Sequence, residues 1–155
     1  MNERRFHFRL QSRHPAPDRA STDLRVALLD ENGVWQLQTP GLDTPGFRLF
    51  LLSLLLCQHF YLVANAHERG LPLLRVEGEF TVTTGADWIL QRLDGTFLLR
   101  LDPAAPAAER QRADAEAIAF IAERMKLCPV SRNLPATVAK AVAVRVRRGE
   151  EGPPS

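Results

Sequence analysis

Two cysteines in 155 residues are too few for a disulfide scaffold, and the start Met-Asn-Glu-Arg-Arg lacks the apolar stretch of a secretory leader. We therefore expect a cytoplasmic, reducing setting, in which a disulfide is more often transient and catalytic than structural. Net charge is also scarce. Twenty basic residues face eighteen acidic ones, a formal balance of +2, so no strong field steers nucleic acid or a membrane surface to the chain. The arginines gather near the two ends, but the aromatics among the first group alternate as strand core residues do, which favours a solvated face over a nucleic-acid surface. No internal repeat or low-complexity block calls for a second domain. We expect a single domain over 1–148 and a disordered charged tail over Gly149 to Ser155.

What is present is a patterned core. Arg5 to Gln11 alternates Phe6, Phe8 and Leu10 with His7 and Arg9, the period of a half-buried strand, and His14-Pro15-Ala16-Pro17-Asp18 breaks it. Leu24, Val26 and Leu28 mark a second strand. Asp30-Glu31-Asn32-Gly33 is a turn before Val34 to Gln38, because Asn and Gly tolerate positive φ. With Thr44 as N-cap and Pro45 in the first turn, a long helix is expected to about His67, closed by Arg69 and Gly70. Leu49 to Ala66 is nearly long enough to span a bilayer, yet Ser53, Gln58, His59 and Asn65 interrupt it, so a central helix buried on all sides is the expectation.

Leu73 to Thr83 alternates again, with Leu74, Val76, Gly78, Phe80 and Val82 on one side. Asp94-Gly95 reads as a hairpin between Trp88 to Leu93 and Thr96 to Leu101. Asp102 to Ala108 reads as a connector, and Glu109 to Met125 as a second long helix. Pro129 ends that helix and starts a short one through Leu134, placing Cys128 at its N-terminus. Val138, Val142, Val144 and Val146 give a last strand. Strands and helices in this order suit an α+β domain.

A metal set of Cys57, His59, Cys128 and His67 lacks any conventional zinc spacing. A Cys57–His59 nucleophile pair fails because residues two apart on a helix diverge. No bound cofactor or metal is expected, and the four histidines are read as structural or solvent-facing.

The settings of the two cysteines are more specific. Pro45-Gly46-Phe47-Arg48-Leu49-Phe50-Leu51-Leu52-Ser53-Leu54-Leu55-Leu56-Cys57 resembles the central helix of the OsmC/Ohr superfamily of thiol-dependent hydroperoxide reductases. His67-Glu68-Arg69-Gly70-Leu71-Pro72-Leu73 is similar to that family's helix exit. Cys128-Pro129-Val130-Ser131-Arg132-Asn133-Leu134, seventy-one positions after Cys57, resembles its second-cysteine motif. The resemblance spans roughly residues 22 to 147.

The resemblance implies an OsmC-like fold in which antiparallel sheets wrap two central helices, within an intertwined homodimer. It implies that Cys57 is peroxidatic and Cys128 resolving, that the substrate is an organic hydroperoxide, and that an external dithiol restores both thiols. A lipoyl protein or a thioredoxin-like protein would supply that dithiol. It also implies an arginine from the first loop, Arg13 or Arg19 here, to favour the Cys57 thiolate, and Arg19 is preferred. The family's supporting glutamate near the helix start has no counterpart. Arg48 stands there instead, nine residues and about 13.5 Å of helix from Cys57. Either Arg48 supplies the charge itself or the peroxide chemistry is weakened or changed, with Asp43 and Asp18 as replacement acids. The competing reading is a non-enzymatic OsmC-like protein that binds an apolar ligand or a partner in its dimer groove.

Overall fold

The computed structural model describes residues 2–147, so the tail expected over Gly149 to Ser155 lies outside the described residues. Three consecutive strands, β1 (Arg4–Arg13), β2 (Thr22–Leu29) and β3 (Trp35–Leu37), form the antiparallel meander expected at the start of the chain. The turn between β2 and β3 uses Gly33 at φ 76°, and Asp30 Oδ1 accepts the N–H groups of Asn32 and Val34. Helix α1 (Gly46–Glu68) follows, then β4 (Leu73–Thr84), β5 (Leu90–Leu101), the short α2 (Ala107–Arg110), α3 (Ala115–Met125), the short α4 (Pro129–Arg132) and β6 (Ala139–Arg147).

The α+β class is as expected, but its sheet differs. Among the described residues there is one six-stranded sheet, in the order β3-β2-β1-β4-β5-β6, and its last pair is parallel. A parallel neighbour cannot be reached by a tight turn, and α2, α3 and α4 form the crossover that it needs. The core joins Phe8, Leu10, Val76, Phe80, Val82, Leu93, Phe97 and Leu99 of the sheet to Leu51, Leu54, Leu55 and Leu62 of α1 and Ile121 and Met125 of α3.

Five other expectations change. Asp94-Gly95 is no turn: β5 runs straight through it, paired to Thr81 and Phe80 of β4. The turn lies earlier, where Gly85 N–H donates to Ile89 O and Trp88 adopts φ 70°. Gly95 instead serves packing, because a β carbon there would run into the Phe80 ring. The register shift between Leu73 and Arg75 then turns Leu74 out to solvent and Leu73 into the core, against the alternation expected there.

The second long helix is broken into α2 and α3. Asp114 is the reason, since its carboxylate caps α3 by accepting the Ala117 N–H at 2.8 Å. At α1 the cap falls on Pro45 without a side-chain bond, and Thr44 Oγ1 accepts instead from the Gly41 N–H. Its far end closes as expected, with Gly70 at φ 68° donating to His67 O.

Helix α1 is long and apolar enough to cross a membrane by length and composition alone. Within this chain it is a core helix, but it is not buried on all sides. Leu49, Phe50, Phe60 and Ala64 are exposed and Ser53, Leu56 and Cys57 half-buried, a stripe at helical spacing.

Candidate functional site

Cys57 and Cys128 come together. They form a disulfide across 71 residues of chain, with Cα atoms 6.1 Å apart. Cys57 sits past the middle of α1, beside the exposed stripe, and is half-buried. Cys128 is fully buried at the N-cap of α4, where Pro129 occupies the first helical turn. Sulfur thus joins the central helix to the link between α3 and α4, and one of the two partners keeps a path to solvent.

The adjacent residue ties the same elements without a covalent bond. Gln58, buried, donates its Nε2–H to Met125 O at 3.1 Å, and the Cys128 N–H donates to that same oxygen at 3.2 Å. On the other side of the cysteine, Lys140 Nζ donates to Ser131 O at 2.7 Å.

Arg19 is engaged by a backbone carbonyl and a carboxylate. Its Nη1 donates to Leu73 O at 2.8 Å and its Nη2 pairs with Asp102 at 3.1 Å. Hydrogen bonds from Ala104 N–H and from Arg19 hold the Asp102 carboxyl below its ordinary pKa. Arg13 is exposed, 3.7 Å from Asp23. Arg48 is exposed in the first turn of α1, and among the described residues its side chain has no hydrogen bond or ion pair. Asp43 and Asp18 are exposed as well. No hydrogen bond joins Arg19 or Arg48 to either sulfur.

A buried polar chain runs from β1 to α1. Ser12 Oγ lies 2.9 Å from Nε2 of His14 and 2.8 Å from Nε2 of His59. A carbonyl only accepts, so His14 Nδ1–H must donate to Arg19 O. The neutral His14 ring then accepts the Ser12 hydroxyl at Nε2, and Ser12 accepts from His59 Nε2–H. Burial, helped by His14, pushes the His59 pKa down to about 4. His14 is also lowered, first by burial. His59 therefore points to the sheet and Cys57 to the α3–α4 link, as divergence of residues two apart requires.

The sequence offered no sign of Gln58 beyond a polar residue in an apolar run, nor of the Ser12–His14–His59 chain. Partners that lie 67 and 47 positions away leave no local signature.

A half-exposed cysteine disulfide-bonded to a buried one, on a helix flanked by a mixed sheet, defines a redox-capable thiol pair. No protein-family model matches the sequence, and no curated protein matches it. Solved structures do match in shape. A protein from Psychrobacter arcticus described as an osmotic stress induced and detoxification response protein aligns with a TM-score of 0.51 and 14% identity, over 79% of this chain and 88% of that one. An OsmC-like hydroperoxide resistance protein from Jannaschia sp. aligns with a TM-score of 0.50 and 16% identity, over 83% of this chain and 85% of that one. A hypothetical protein from Aquifex aeolicus gives 0.51 at 12% identity, over 84% and 93%. The chain has an OsmC-like fold.

Proposed function

We propose that the protein reduces organic hydroperoxides through Cys57. The Cys57 thiolate attacks the terminal oxygen of the O–O bond, the alcohol leaves with a proton, and the sulfur becomes a sulfenic acid. The Cys128 thiol then attacks that sulfur, water departs, and the disulfide forms. An external dithiol, from a lipoyl or thioredoxin-like protein, exchanges with the disulfide and returns both thiols. The observation that carries this reading is the Cys57–Cys128 disulfide between elements 71 residues apart, in an OsmC-like fold.

The exposed stripe on α1 supports a homodimer as the working unit. Leu49, Phe50 and Phe60 are large apolar groups in water, and Cys57 stands at their edge. A second copy seated there would cover the thiol with apolar surface and favour fatty or aromatic hydroperoxides over hydrogen peroxide. We place the protein in the cytoplasm, where reducing partners are supplied.

A second reading is favoured by the arginines. Arg19 is committed to Asp102 and Arg48 replaces the expected acid, which leaves a Cys57 thiolate with little electrostatic help. In that reading the protein binds an apolar ligand or a partner and its thiols are inert.

Consumption of cumene hydroperoxide by the prereduced protein with dithiothreitol separates the two. Cys57→Ser is expected to abolish turnover. Cys128→Ser is expected to leave a single turnover and a sulfenic acid that dimedone traps. Unchanged thiols in the native protein after peroxide exposure would favour the binding reading.

A further inference from the structure

A thiol pair that cycles spends part of each cycle without its covalent link. During that time something else must keep Cys128, at the hinge between α3 and α4, within range of Cys57. Gln58 has the placement to do so. It follows Cys57 directly on α1, its side chain is 3% exposed, and its amide reaches the carbonyl of Met125, three residues before Cys128. That oxygen also accepts the Cys128 N–H. A carbonyl has two lone pairs, and here one serves the neighbour of the first thiol while the other serves the backbone of the second.

Beyond Cys128 the chain is held again, by Lys140 on Ser131 O and by Val130 and Leu134 packed against the core. None of these contacts passes through sulfur, so all of them can persist when the disulfide opens. We infer that Gln58 is a positioning residue that keeps Cys128 poised for attack on the Cys57 sulfenic acid, so that the disulfide closes faster than a free hinge would allow. This rests on the hydroperoxide reading for its kinetics, but not for its thermodynamics.

The step served is the second one. Cys128 sulfur forms the S–S bond, the Cys57 S–O bond breaks, and hydroxide leaves with the Cys128 proton as water. Gln58 takes no part in attack on peroxide. Its loss should therefore slow closure and spare the first step, a split that a purely structural contact would not give.

Gln58→Met keeps length and helix preference but removes the donor, and Met125 O retains the Cys128 N–H, so the variant should fold. Gln58→Asn retains a shorter amide for comparison. The prereduced full chain is mixed with one equivalent of cumene hydroperoxide, and peroxide loss and disulfide formation are followed separately. In Gln58→Met, peroxide loss should stay within about twofold, while disulfide closure slows by about fivefold, the worth of one buried hydrogen bond. Dimedone capture should rise in step, and Gln58→Asn should recover part of the rate.

Equal slowing of both steps, or no change in closure, overturns the inference. A dithiothreitol redox titration needs no peroxide. There the Cys57–Cys128 disulfide should form about fivefold less readily in Gln58→Met, and an unchanged equilibrium also overturns the inference. Native protein that leaves peroxide untouched would sink the hydroperoxide reading alone, and the titration would still decide the role of Gln58.

Discussion

Arg19 places Nη2 3.1 Å from Oδ2 of Asp102, and each side chain is only 16% exposed. The same guanidinium also donates to Leu73 O, so the loop after β1 is fastened to both strands at the open end of the β4–β5 pair, where Leu73 faces Leu101. An ion pair with this little solvent, plus a backbone bond, is worth more than a surface pair. Arg19→Met is expected to cost about 1–3 kcal/mol of unfolding free energy, read from urea midpoints. The reduced Cys57 thiol pKa should stay where it is in native protein. A clear rise of that pKa would instead return Arg19 to the thiolate-stabilising role that the resemblance assigns to it.

Gly95 is tested by adding one methyl group. Its β carbon would meet the Phe80 ring, which is itself buried against Phe97. Gly95→Ala should therefore destabilise by about 1–3 kcal/mol through overpacking. Combining it with Phe80→Leu should cost less than the sum of the two single changes, because the smaller side chain yields the space. Additive losses in denaturant titrations would remove the packing explanation.

These two sites show where sequence patterning succeeds and where it stops. Alternation along Phe6, Phe8 and Leu10, and the apolar run ending in Cys57, placed β1 and α1 because period and burial are local properties. Asp94-Gly95 carries the same letters as a hairpin turn, and only the Phe80 ring on the neighbouring strand reveals that the glycine is there for closeness. Leu74 misleads in a similar way, since a bulge shifts the alternation by one residue. In the site, both cysteines were legible through their flanking motifs. Gln58, Ser12 and the Arg19–Asp102 pair were not, for each depends on a partner more than forty positions away.

Acid should loosen the fold through His59. Its ordinary pKa of 6.5 drops to about 4 in the folded chain, so between those values the unfolded chain binds more protons than the folded one. Stability from this group is complete above pH 6.5 and is lost as pH falls toward 4. The difference corresponds to about 3 kcal/mol as an upper figure. His14, lowered in the same direction, adds to the loss, with His67 and Arg19 as the other charged groups beside it. Unfolding free energies measured from pH 7 to 4 should fall, and His59→Gln should flatten that slope. An equally steep slope in the variant would place the acid sensitivity elsewhere.

Reduction should weaken the chain without unfolding it. Closing a loop of 71 residues removes chain entropy from the unfolded state worth about 4 kcal/mol. The core of α1, α3 and the sheet does not pass through either sulfur, and the Gln58 and Lys140 bonds remain. The urea midpoint should drop on adding a phosphine reductant, with a single cooperative transition retained. Loss of near-ultraviolet circular dichroism on reduction in the absence of urea would mean that the disulfide, rather than the core, holds α3 and α4 in place.

The stripe on α1 makes the last prediction. Phe60 is 69% exposed and lies one turn from the half-buried Cys57, with Leu49 and Phe50 further along the same face. In a homodimer closed on this face, Phe60→Asp would bury an unpaired carboxylate against apolar side chains, a substitution that association cannot absorb. In a monomer the same change would only replace an exposed ring by a charge. Sedimentation velocity should show native protein near twice the 17.4 kDa chain mass and the variant shifted toward one chain, with the fold intact by circular dichroism. If the interface also shapes the thiol pocket, KM for cumene hydroperoxide should rise in the variant while dithiothreitol still reduces the Cys57–Cys128 bond. An unchanged sedimentation coefficient would mean that this face does not join two copies.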